Sequence, residues 1–100
     1  MVILKASFSQ FYPMGKSAKP KPKKIQLDAN QELKKLGSRI KELRIKNGYS
    51  SYEKFAFDND ISRAQVGRYE QGKDIQFSTL IRVCNALGVS LEEFFSEGFE

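Results

Sequence analysis

SYEKFAFDNDISRAQVGRYEQGK, residues 51–73, is the stretch whose reading decides the fold. Start and turn signals divide it into two short helices joined by a tight turn. Ser62 is a favourable N-cap, and Gln65 three residues on completes a capping box. Ile61 before the cap and Val66 at the fourth helical position can close a hydrophobic staple. Ahead of this start stand Asn59 and Asp60, the non-glycine residues that best tolerate a left-handed turn. Ser51 caps the first helix, with Ser50 and Glu53 offering an alternative box one residue earlier. Phe55 and Ala56 form its inner face, and Ala56 is small enough for the second helix to cross closely.

The chain on either side continues as helix. Upstream, Asp28 and Gln31 make a capping box that opens a helix ending at Gly48. Its apolar residues Leu33, Leu36, Ile40 and Leu43 lie on one helical face. Downstream of Lys73, a turn leads to a helix from about Gln76 to Leu87, with Phe77, Leu80, Ile81, Cys84 and Leu87 as its stripe and Gly88 as its C-cap. Ser90 and Glu93 box the start of a short fifth helix, in which spacing assigns Leu91 and Phe95 to the core. Phe94 and Phe99 are then surplus aromatics suited to a dimer contact, although Phe99 also fits a frayed end. The expected architecture is all-α: a five-helix domain over residues 28–97, preceded by a basic arm or linker at 1–27 and followed by a C-terminal end at 98–100.

Composition narrows the function. One hundred residues make one domain with a modest core. With no histidine and a single cysteine, Cys84, neither a metal cluster nor a disulfide framework is available. Cys84 reads as a small core residue in a protein of the reducing cytoplasm. No apolar run approaches the roughly 20 residues of a membrane span, and Val2, Ile3 and Leu4 are too few for a signal-peptide core. No nucleophile, base and oxyanion donors form an arrangement, so neither an enzyme nor a cofactor is expected. The net charge of +5 is unevenly spread. Residues 1–27 carry six lysines and no acid, residues 28–73 ten basic and seven acidic groups, and residues 74–100 one basic and five acidic groups. That polarity would orient an approach to a phosphate backbone; the plainer reading is a solubilising tail on a nearly neutral domain. Pro13 to Lys24 (PMGKSAKPKPKK) reads as a linker of structure breakers and mutually repelling lysines. MVILKASFSQFY before it fits either an added strand or disorder. Basic arms of this kind sometimes follow the DNA backbone or enter the minor groove.

Helix, short turn, helix is the helix-turn-helix unit. Together with LGSRIKELRIKNGYS before it and STLIRVCNALGVSLEEFF after it, this unit resembles the Cro and phage-repressor type, also called the xenobiotic-response-element family. The resemblance covers roughly Asp28 to Phe95 and rests on the order and spacing of the pieces. It implies that the helix from Ser62 to about Gln71 enters the major groove of double-stranded DNA. With Ile61, Val66 and Tyr69 turned inward, Arg63, Ala64, Gly67 and Arg68 form the matching outer stripe. Arginine forks match guanine O6 and N7, and alanine suits the thymine methyl; at Gly67 a close approach to the groove would explain a costly residue. A solvated helix face is the plainer account of the two arginines. Ser51, Tyr52, Ser62, Gln71 and Lys73 stand where the family contacts phosphate. The resemblance also pairs Arg44 with Glu70 as a structural ion pair.

There are departures from the family pattern. GYSS is one residue longer than the usual link, glutamine is usual where Tyr52 stands, and Phe57 occupies a position that is normally polar. Phe57 either packs under the arm or forms an exposed partner contact. The resemblance implies a transcriptional regulator, most simply a homodimeric repressor of bacterial or phage type. The alternatives are the antitoxin of a toxin–antitoxin pair, docked on a toxin partner through its N-terminal segment, and an interaction module that has lost DNA binding.

Overall fold

The computed structural model describes residues 24–100, which form five helices. They are α1 (Ala29–Lys46), α2 (Tyr52–Asp58), α3 (Arg63–Glu70), α4 (Phe77–Leu87) and α5 (Leu91–Phe94). The N-terminal readings for residues 1–23 lie outside the described residues.

Local signals set the helix limits. Asp28, Ser51, Ser62 and Ser90 each accept a hydrogen bond from the backbone N–H three residues on, at Gln31, Lys54, Gln65 and Glu93. Each thereby satisfies one of the donors that a helix start leaves unpaired. Between α2 and α3 the turn is made by Asp60, which takes the left-handed conformation at φ 57°. This lets the Ile61 N–H reach back to the Ala56 carbonyl at 2.9 Å. Ile61 and Val66 flank the start of α3 and are both buried.

The core sits where the inner faces of all five helices meet. Ile40 and Leu43 of α1, Phe55 and Ala56 of α2, and Val66 and Tyr69 of α3 pack with Leu80, Val83, Cys84 and Leu87 of α4 and Phe94 of α5. Burial pushes the Cys84 thiol above its ordinary range, so it stays protonated and behaves as a small apolar residue. The α1–α3 crossing depends on Gly37, since a Cβ there would run into the carbonyl oxygens of Tyr69 and Glu70. Backbone cannot swing aside as a side chain can, so glycine is required despite its cost of about 1 kcal/mol inside a helix. Gly37→Ala is expected to destabilise the domain by about 1–3 kcal/mol in urea unfolding. A stability gain would instead mean that the two helices separate without penalty.

Two sequence expectations about the core are corrected. Phe77 and Ile81 are 61% and 38% exposed, whereas Val83 is fully buried. The inner face of α4 is centred between Val83 and Cys84, which rotates the i, i+4 pair Phe77 and Ile81 to one flank. In α5, Phe94 is fully buried and Phe95 is 41% exposed, the reverse of the assignment from spacing. Phe94 is therefore a core residue and not a candidate dimer contact. The reason lies in a residue that spacing alone did not single out, Arg39. Its guanidinium is buried and donates from Nε to the Phe94 carbonyl at 2.7 Å and from Nη2 to the Glu93 carbonyl at 2.8 Å. Capping the end of α5 in this way sets the rotation of a helix only one turn long. Phe99 is half-buried and packs on Phe95 at 4.9 Å and on Phe94 at 6.3 Å between ring centroids.

Candidate nucleic-acid interface

α3 has two faces with opposite fates. Val66 and Tyr69 hold it to the core, while Arg63, Ala64, Gln65 and Arg68 are exposed. Arg63, Ala64 and Arg68 are spaced i, i+1, i+5, which places them on one stripe. The arginines of the described residues divide in the same way. Arg39 and Arg44 are buried and bonded within the protein. Arg82 donates to the Asp60 carbonyl at 3.1 Å, steadying the turn. Arg63 and Arg68 take part in none of the salt bridges formed among the described residues. Two planar forks with five donors each thus stand on one narrow helix, facing solvent.

What fixes that helix against the body is the pair Arg44–Glu70. Arg44 Nε donates to Glu70 Oε2 at 2.7 Å and Nη2 to Oε1 at 2.9 Å, a bidentate fork spanning α1 and α3. Nη1 donates to the Tyr49 carbonyl at 2.7 Å. The Arg44 and Glu70 side chains are only 4% and 8% exposed. Hydrogen bonding to Glu70 raises the Arg44 guanidinium above its ordinary value, against the opposing effect of burial. The lengthened link GYSS contributes here through Tyr49. Its ring packs edge-on against Phe55 at 5.4 Å and its hydroxyl bonds Asp58 at 3.1 Å.

Gly67 departs from the expected outer stripe, for it is buried. The ring of Tyr52, from the first turn of α2, covers it: an added Cβ would lie 2.9 Å from Tyr52 Cε1. The glycine makes room for a neighbouring side chain and does not itself open onto the surface. Ser62, Gln71 and Lys73 are exposed around α3, and Ser51 and Tyr52 are half-buried at the start of α2. Ser51 and Ser62 already serve as caps through their hydroxyl oxygens. Phe57 is 84% exposed and, with Glu53, Lys54, Ile61 and Arg63, lines a shallow cavity of about 390 Å³ beside α3. Among the described residues no group of three or more His, Cys, Asp or Glu is placed to hold a metal. No helix among them is long and apolar enough to cross a membrane.

Two short helices joined by a tight turn, the second exposed along one stripe, form a helix-turn-helix unit. Residues 40–94 match the helix-turn-helix family model, and the chain belongs to the Cro/C1-type helix-turn-helix family of DNA-binding transcriptional regulators. Among solved structures it is similar to the restriction-modification controller protein C.AhdI from Aeromonas hydrophila. That likeness has a TM-score of 0.58 at 30% identity, over 65% of this chain and 98% of that one. The restriction-modification controller protein C.Esp1396I shares the fold, with a TM-score of 0.56 at 23% identity over 64% of this chain and 82% of that one. Curated proteins yield no match.

Proposed function

We propose that this protein binds double-stranded DNA sequence-specifically through α3 and represses transcription by occupying an operator that overlaps a promoter. The observation carrying this reading is the exposure of Arg63 and Arg68 on one stripe of a helix whose other face is locked into the core. In this reading Arg63 and Arg68 contact guanine edges and Ala64 a thymine methyl. Ser51, Ser62, Gln71 and Lys73 position the duplex through its phosphates. Residues 28–97 serve as the DNA-binding domain and the lysine-rich residues 1–27 as an auxiliary basic arm. The likeness to C.AhdI favours a restriction-modification controller of that kind.

A homodimer on a two-fold operator fits the same picture. Leu27, Leu33, Leu36, Phe95 and Phe99 line an apolar groove of about 500 Å³ on the surface, a face that a second copy would cover. Selection of bound duplexes from a random library tests the whole reading: the expected outcome is a two-fold motif with half-sites about one DNA turn apart. Arg63→Ala and Arg68→Ala are each expected to weaken binding by about 1–3 kcal/mol per half-site and to relax preference at one base pair. Unchanged preference in both variants would remove α3 as the reading element.

A further inference from the structure

Gly67 poses a question that the groove-reading account leaves open. It lies inside α3, where glycine is the poorest choice after proline, and its backbone does not require positive φ. Space is what requires it. A Cβ on Gly67 would meet Tyr52 Cε1 at 2.9 Å, Cζ at 3.1 Å and the hydroxyl oxygen at 3.2 Å. The contact therefore involves the hydroxyl end of the ring, not its base. Gly67 follows Arg63 by four residues and Ala64 by three, and it precedes Arg68. The phenol tip of Tyr52 thus reaches α3 in the midst of the exposed stripe. Ser51 caps α2 immediately before Tyr52, which anchors the backbone from which the ring projects. Tyr49 uses its hydroxyl on Asp58, whereas the Tyr52 hydroxyl makes no hydrogen bond among the described residues.

We propose that Tyr52 takes the place of a side chain at position 67 and reads the base pair lying between those addressed by Arg63 and Arg68. A phenol both donates and accepts, so it can bond a purine N7 or an exocyclic amine in the major groove, and its ring edge suits a thymine methyl. A reading side chain is thereby lent to the recognition helix from α2, and Gly67 is the vacancy that admits it. This rests on α3 being the helix in the groove.

Two measurements on the full chain test it. The first is thermal unfolding without DNA. Gly67→Ala should lower the melting temperature in the native background, because the ring must be displaced. In a Tyr52→Ala background it should leave the temperature unchanged or raise it, as helix propensity alone would. The same effect of Gly67→Ala in both backgrounds would overturn the pairing. The second is library selection with Tyr52→Phe, which keeps the ring and removes the hydroxyl. The expected result is a threefold to tenfold loss of preference confined to one position, between the positions altered by Arg63→Ala and Arg68→Ala. A loss shared equally by all sequences would make Tyr52 a phosphate contact, and no loss would make it purely structural; either overturns the proposal while leaving the arginines as readers. If the arginine variants also keep their preferences, the reading of α3 itself has failed and this role for Tyr52 falls with it.

Discussion

Replacing Arg44 by methionine is expected to destabilise the folded domain by about 3–5 kcal/mol, the range for removing one partner of a buried ion pair. Three hydrogen bonds are lost at once, two to Glu70 and one to the Tyr49 carbonyl. The carboxylate that remains is 8% exposed, so little water replaces the guanidinium. The loss should not change as pH rises from neutral through any ordinary alkaline buffer. Because the folded-state value of Arg44 is raised, its contribution is complete below the unfolded-state value and fades only as pH climbs beyond it. Arg44→Met combined with Glu70→Leu should recover much of the stability, since a buried pair and well-packed apolar replacements are often close in energy. Urea unfolding of the single and double variants, analysed as a cycle, separates the pair from its surroundings. A single-variant cost below about 1 kcal/mol would place the pair with exposed salt bridges and withdraw it as the brace of α3.

The second large effect distinguishes two neighbouring aromatics. Phe94→Ala is expected to cost about 3–5 kcal/mol, because the ring is fully buried and its removal leaves a cavity beneath α4 and α5. Phe95→Ala should cost less than about 1.5 kcal/mol, as this ring is 41% exposed and packs mainly on Phe94 and Phe99. Denaturation midpoints of the two variants check the order directly. Equal costs would mean that α5 is rotated so as to share its burial between both rings. Should Phe95→Ala weaken self-association while leaving monomer stability nearly intact, the groove it lines with Phe99 is the face that pairs.

The helix limits were legible because they depend on contacts three or four residues apart. Asp28, Ser51, Ser62 and Ser90 each sit beside the backbone group they satisfy, and Gly88 ends α4 in the left-handed conformation expected of it. The exposed arginines of α3 were legible for the same reason, since Val66 and Tyr69 orient the helix and leave Arg63 and Arg68 outside. Arg44–Glu70 was different. Its pairing, across 26 residues, was implied by family resemblance alone. Arg39 meets its partners 54 and 55 residues away, which no local pattern signals. Gly37 and Gly67 resemble each other in sequence, as glycines inside helices, yet one admits a backbone and the other a tyrosine ring.

The amino-acid sequence by itself determined where each helix begins and ends and which short helix carries the outward arginines, because capping and helical periodicity are local physics. Only the tertiary structure decided which flank of α4 and α5 turns inward and why two helices tolerate glycine. Phe94 and Phe95 flank Leu91 almost symmetrically on a single turn, so periodicity favours neither. The choice falls to the buried guanidinium of Arg39, which holds the Glu93 and Phe94 carbonyls from α1.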